Sequence, residues 1–371
     1  MTFNWNKVAR PPAADEIEVT VIGPGFGECI LVHAGEGDWL IVDSCRDPQS
    51  KQAAPLLYLQ ALGVDPAKSV RWIVATHWHE DHVAGIHDIV SVCSNAEFFC
   101  AAQFHQREFR EYAALSGAVK SADKAKEFRD VVLTMKRRQK QVKWTLGGRG
   151  LAVLPATDRR PEFRIEALSP SDKEFSLFLE RIVAQMPTKG KPHRALLASD
   201  PNHAAIVLSL RWGNESVLLG ADLLADVSND QGWLAAVEQA RTLGVPQADL
   251  VKIPHHGSWG AHCLKMWTEL LMANPVSAIT PYSRGRKAGR PPKPTDLARI
   301  SKLSSRTILT APTQSGRARK QGSAVAMGLS QNGIKMRTLQ ADIGIARFRR
   351  HYGSNWGNEL FGRAKVVQAR R

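Results

Sequence analysis

The 371-residue sequence predicts an α/β sandwich, with two β-sheets packed together and helices on the outside. Three observations carry this. Short apolar runs of strand length recur in both halves of the chain, each half brings its own helical segments, and no periodic repeat is visible. A composition of 43% hydrophobic and 23% charged residues is ordinary for a globular protein, and the length suits one large domain or two modest ones.

Residues 17–22 (IEVTVI) and 39–43 (WLIVD) read as short buried strands separated by the glycine-rich stretch GPGFGECILVHAGEG. A helix from Pro55 to Leu62 ends at Gly63. The next apolar strand, VRWIVAT at 70–76, runs directly into a group of histidines. Residues 101–145 switch to a charged helical pattern that suits helices covering the scaffold. Strand-like runs return at 151–154, 163–168, 204–210 and 216–220, followed by a helix at 232–243 and the strand DLVKI at 249–253. From Ser283 to Pro294 the sequence is too rich in glycine, proline and charge for regular structure. RTILTA and GIARFRR beyond it have the character of further strands. The expected organisation is one domain over residues 1–310, including the charged helical segment, and a basic C-terminal extension over 311–371.

Composition also excludes classes. No run approaches the roughly 18 apolar residues of a membrane helix, so membrane insertion is not expected. The opening MTFNWNKVARPPAADE has no apolar segment behind its basic residues, an expectation against a secretory signal. Five scattered cysteines without a CxxC pair fit reduced thiols and a cytoplasmic location. The net charge of +15 is lopsided, with 20 Lys and Arg against three acidic residues from Arg284 onward. The first 283 residues are close to neutral. Such a basic end is the footprint expected for a polyanionic partner, nucleic acid above all; the plainer alternative is a solubilising tail. Protein partners are not legible.

The chemistry concentrates in Thr76-His77-Trp78-His79-Glu80-Asp81-His82, at the end of a predicted strand. Imidazoles and carboxylates at the mouth of a strand can converge as N and O ligands for a borderline cation such as Zn²⁺. His77 and His79 alternate along an extended backbone, while Asp81 and His82 lie beyond the turn, so one loop can serve two adjacent metal positions.

This HxHxDH run resembles the signature of the metallo-β-lactamase superfamily, and other positions fit the same pattern. Asp43, closing WLIVD, matches that family's acidic residue beneath the metals, which orients a ligand. Asp222, in SVLLGAD, matches the aspartate that bridges two metals, and His255 and His256, in VKIPHHGS, look like the final histidine motif. VTVIGPGFGECILV, NHAAIVLSLRWGNESVLLGAD, LVKIPHHGS and AGRPPKPTDLARI are similar to the soluble hydrolase domain of the ComEC competence protein over roughly residues 17–310. Glu28 stands where that branch usually has Asp, and Phe26 replaces its usual Gln. His203 is the nearest counterpart of the family's third histidine.

The resemblance implies an αββα sandwich of two mixed sheets and a binuclear, metal-dependent hydrolase with two divalent ions, Zn²⁺ or Mn²⁺. His77, His79 and His203 are expected at the first ion, Asp81, His82 and one of His255 or His256 at the second, with Asp222 between them. His255 is taken as the ligand, and His256 as the donor to the developing anion, acting with Asp81 and Asp222 in catalysis. Glu28 and Asp43 are expected behind the ligands. Strand register is expected to turn Lys252 away from the site, and neither it nor Ser258 is assigned a role. Two metals sharing a water supply hydroxide at neutral pH and suit phosphodiester cleavage. Arg284, Arg286, Lys287, Arg290 and Lys293 are the expected nucleic-acid contacts, with Trp259 and Tyr282 placed to stack on bases. DNA or RNA is therefore the expected substrate. A small phosphodiester, such as a cyclic nucleotide or a choline phosphate, and a metal-bound nucleic-acid-binding subunit with little turnover are the alternatives.

Overall fold

The computed structural model describes residues 3–101, 122–185, 201–225, 228–282, 289–313 and 343–368. Two eight-stranded mixed sheets face each other, as expected, with helices flanking them. The first sheet is built from β1 (Glu16–Gly23), β2 (Cys29–His33), β3 (Trp39–Val42), β4 (Val70–Ala75), β5 (Glu97–Ala101) and β6 (Val142–Thr145). The second holds β7 (Arg149–Leu154), β8 (Phe163–Ala167), β9 (Leu208–Trp212), β10 (Glu215–Leu219), β11 (Ala248–Lys252), β12 (Leu271–Ile279) and β13 (Arg306–Leu309). The C-terminal strands are β14 (Gly344–His351), β15 (Gly357–Gly362) and β16 (Lys365–Val366).

In the first sheet the order is β15-β14-β1-β2-β3-β4-β5-β6, and in the second β16-β13-β12-β11-β10-β9-β8-β7. Each sheet joins an antiparallel part to a run of four parallel strands, β3 to β6 in one and β10 to β13 in the other. Helical segments connect the parallel strands, as crossovers require: α1 (Ala54–Ala61), α2 (Pro66–Ser69), α3 (Glu80–Val83), α4 (Ile86–Val92), α5 (Ala122–Arg137), α7 (Gly232–Leu243) and α8 (Pro294–Leu303), while α6 (Asp172–Gln185) lies between the antiparallel strands β8 and β9. Residues 102–121 of the charged helical segment lie outside the described residues.

The main core lies between the sheets, where Val19, Leu31 and Ile41 share one apolar cluster with Leu210, Val217 and Leu250. A second cluster packs the outer face of the second sheet, through Val251 and Leu218, against Trp233 and Val237 of α7. Adjacent residues of β11 thus serve opposite faces, and Leu250 points toward the first sheet.

Two readings are corrected. The glycine-rich stretch taken as a separator contains β2, whose residues Cys29–His33 are all buried between β1 and β3. Residues 344–366 do not stand apart from the domain. β14 pairs with β1 along eight residues, and β16 pairs with β13 in the other sheet. The basic residues of β14 are structural: Arg349 donates to Glu18 at 2.6 Å, Arg350 pairs with Asp249 and Glu215, and Arg347 donates to the carbonyls of Arg10 and Val8. These buried arginines are spent inside the fold, so they do not serve a polyanion.

A chain ended at residue 310 loses β14 and leaves Glu18 buried without Arg349. Its thermal melt by circular dichroism is expected to show no cooperative transition. A melt like that of the full chain would contradict the assignment of β14 to the core of the fold.

Candidate metal centre

The loops at the carboxyl ends of β3, β4, β10 and β11 build the site, the usual position for ligands on parallel sheets. Asp43 follows β3 with φ 59°, Ala221 follows β10 with φ 43°, and His255 and His256 follow β11 with φ 43° and 54°. Left-handed backbone costs a non-glycine residue about 1–3 kcal/mol, and such strain collects where a side chain must be aimed. Gly27 (φ 92°) lets the loop before β2 pass close by; a Cβ there would stand 2.8 Å from Cys45. Its neighbour Glu28 donates its N–H to the Asp81 carbonyl at 2.8 Å.

Asp43 anchors the site. Its carboxylate accepts the backbone N–H of Thr76, the Thr76 hydroxyl and Nδ1 of His82, each at 2.7 Å. With its own proton given to Asp43, the Thr76 oxygen accepts Nδ1 of His77 at 3.1 Å. His256 likewise commits Nδ1 to the Thr280 carbonyl at 2.7 Å. Nε2 is thereby the nitrogen of each ring left to exchange a proton for a metal. His82 Nε2 and His256 Nε2 each lie 3.4 Å from Asp222 Oδ2, and His256 Nε2 lies 3.2 Å from Asp81 Oδ2.

Asp81, His82, Asp222 and His256 are all buried, with one ligand atom of each within 4.8 Å of the others. His77 Nε2 stands 3.1 Å from His79 Nδ1, and the His77 and His82 ring centres are 4.1 Å apart. Burial opposes charge on His82 and His256, yet the Asp222 carboxylate and its neighbours hold His82 well above the usual imidazole range and His256 up at about 10. Burial likewise opposes charge on Asp222, but the two imidazoles keep its carboxyl well below the usual range. Burial, reinforced by the neighbouring histidines, pushes His77 far down and leaves it neutral, the ligand form.

A divalent cation fits this donor set. Among the described residues, His82 Nε2 and Asp222 Oδ1 are buried with no hydrogen-bond partner, and imidazole with carboxylate suits Zn²⁺ or Mn²⁺.

The final histidine pair is placed the other way round from the expectation. His256 enters the ligand cluster, whereas His255 is half-buried on the cavity wall, with Nδ1 2.9 Å from Ser258 Oγ and Nε2 3.3 Å from Asn202 Nδ2. Two successive left-handed residues decide which ring turns inward. His203 stands in the turn Pro201–Ala204, from which buried Asn202 lines the cavity.

Lys252 is also corrected. It lies two residues beyond Leu250, on the same inter-sheet face, and is fully buried. Its ammonium stands 2.5 Å from Glu28 Oε1, 3.1 Å from the Ala221 carbonyl and 3.9 Å from Asp222 Oδ1. Glu28 also accepts the Thr280 hydroxyl. Alternation along β11, counted from Leu250, was the signal available for Lys252. Thr76 and Thr280 carry no comparable signal beyond their place at strand ends.

A cavity of about 780 Å³ opens over the cluster, lined by His79, Asp81, Asp222 and His256 and, toward the rim, by Trp259, Tyr282, Arg290 and Lys293. Arg284, Arg286 and Lys287 lie outside the described residues.

Comparison with known proteins agrees with this geometry. Residues 22–158 match the family model described as "Metallo-beta-lactamase superfamily". That segment, a little over a third of the chain, is similar to the metallo-beta-lactamase superfamily. The two mixed sheets with flanking helices are consistent with the metallo-beta-lactamase αββα sandwich fold. Solved structures similar to this chain include the metallo-beta-lactamase fold protein YhfI from Bacillus subtilis. It is 16% identical with TM-score 0.41, over 82% of this chain and 98% of that one. A HARLDQ-motif mutant of a metallo-beta-lactamase from Cronobacter sakazakii is 16% identical with TM-score 0.33, over 63% and 75% of the two chains. MEM-A1, a subclass B3 metallo-beta-lactamase from a soil metagenome library, is 13% identical with TM-score 0.34, over 69% and 83%. No curated protein matches. Among the described residues no helix is long and apolar enough to cross a membrane.

Lys252→Met leaves the Glu28 carboxylate buried without its ammonium partner. Urea unfolding is expected to show a loss of about 3–5 kcal/mol, the cost of breaking a buried ion pair from one side. A loss below about 1 kcal/mol would contradict the pairing.

Proposed function

We propose that the protein is a binuclear metal-dependent phosphodiesterase that cleaves nucleic acid. The observation that carries the proposal is the buried cluster of Asp81, His82, Asp222 and His256 at the floor of an open cavity with cationic side chains at its rim. In this reading His77 and His79 would hold one ion and Asp81, His82 and His256 another, with Asp222 available to both. Two such ions, when bound, supply hydroxide near neutral pH and offset charge on a phosphoryl group.

The chain's own groups do the rest. Asp43 and Thr76 hold His82 and His77 by Nδ1, and Lys252 with Glu28 fixes the floor beneath Asp222. His255, steadied by Ser258 and Asn202, takes the part of donor to the developing anion. Arg290 and Lys293 line the cavity and face the phosphates on either side of the scissile one. The basic excess after Arg284 and the likeness of VKIPHHGS to ComEC-type hydrolase segments support a nucleic-acid backbone over a small ester.

The test is cleavage of labelled single- and double-stranded DNA and RNA by protein loaded with Zn²⁺ or Mn²⁺, beside Asp222→Ala. Cleavage of at least one polymer is expected, with the variant slower by roughly a thousandfold or more, the equivalent of several kcal/mol of lost charge stabilisation. Metal-loaded protein that cleaves bis(p-nitrophenyl) phosphate but no polymer would overturn the nucleic-acid reading.

A further inference from the structure

Trp259 is set apart from the other nine tryptophans. Trp39, Trp72, Trp78, Trp212, Trp233 and Trp267 are at most 7% exposed, and Trp5, Trp144 and Trp356 are half-buried. Trp259 is 70% exposed, and it lines the same cavity as Asp81 and Asp222. Hydrophobic burial cannot account for a ring left this far in water.

The ring is nevertheless held. The Arg299 guanidinium lies 5.0 Å from its centre, and His262 packs 5.3 Å away. Arg299 donates to the Gly257 carbonyl at 2.8 Å and pairs with Asp296 at 3.3 Å. Gly257 directly follows His256, so the platform is tied to the loop that carries a candidate ligand. A fixed, solvent-facing indole backed by a cation is a surface for a flat π-system. At the other part of the rim, Arg290 lies 4.7 Å over Tyr282, whose ring is 5.2 Å from that of His256.

We infer that Trp259, backed by Arg299, is a stacking site for an unpaired nucleobase, so that the strand entering the cavity is single at that point. The inference rests on the nucleic-acid reading above, and it adds a base contact to a site otherwise built for phosphate. A base held inside a duplex already spends both faces on its neighbours, so the platform selects single strands or frayed ends. Stacking reads no particular base and does not separate DNA from RNA.

The experiment is fluorescence anisotropy with the full-length metal-loaded protein and labelled phosphorothioate 12-mers at fixed salt. The probes are oligo(dT), oligo(rU), a 12-base-pair duplex and an abasic strand of equal charge, with thymidine monophosphate as competitor. Wild type is expected to bind both base-bearing strands about tenfold or more tighter than the abasic strand and the duplex. Trp259→Ala is expected to lose that preference while its circular dichroism is unchanged, and Trp259→Phe to keep most of it. Equal binding of abasic and base-bearing strands by wild type, or a full preference in Trp259→Ala, would overturn the inference. Competition by the mononucleotide at the strand's own concentration would overturn it in favour of a free-nucleotide site. The two readings fail separately. Polymer cleavage without base preference removes only the stacking site, whereas base preference without cleavage removes only the hydrolase reading.

Discussion

Four carboxylates, those of Glu28, Asp43, Asp81 and Asp222, are gathered at 1–6% exposure where the two sheets meet, and the need to balance them governs the site. Charge of one sign at such density in a dry interior is untenable without cations. Among the described residues Lys252 supplies a fixed ammonium at the floor, and it leaves three negative charges to be met. In the metal-free protein His82 and His256 meet part of that demand by holding protons far above the usual imidazole range. Two divalent cations, as proposed, would meet it with one charge to spare. Binding at this floor therefore exchanges protons for metal.

The sheets make this concentration of charge possible because each carboxylate reaches the floor from a different strand end. Apolar packing between the sheets fixes β3, β4, β10 and β11, and the left-handed residues Asp43, Ala221, His255 and His256 aim the side chains beyond them. The relay from His77 through Thr76 to Asp43 and His82 shows how one carboxylate, directly and through a threonine, sets the donor nitrogen of two rings. β14 contributes from a distance. Its pairing with β1, and Arg349 on Glu18, hold the strand from which the Glu28 loop departs.

Much of this is visible in the linear chain, because histidines and aspartates at the ends of apolar strands are costly unless they converge. His77, Asp81 and His82 stand out for that reason, and Asp43 and Asp222 through the family resemblance. Lys252 is hidden by habit: a lysine in a strand suggests solvent, but β11 is central, and the face shared with Leu250 ends at the acidic floor. The choice between His255 and His256 depends on two backbone torsions that residue type does not encode. The arginines of GIARFRR register as free positive charge until pairing across sequence separations of more than one hundred residues brings Glu18, Glu215 and Asp249 to them. Long-range pairing of this kind leaves no local pattern to read.

The most direct measurement of the central claim is calorimetric titration of metal-free protein with Zn²⁺ or Mn²⁺ in buffers of different ionisation heat, from about pH 6 to 8. His256 holds its proton up to about 10 when no metal is present, so binding near neutrality must displace it. The expected result is two ions per chain, net proton release, and an apparent affinity that rises with pH. Fewer than two ions, or binding without proton release and with no dependence on pH, would contradict the account.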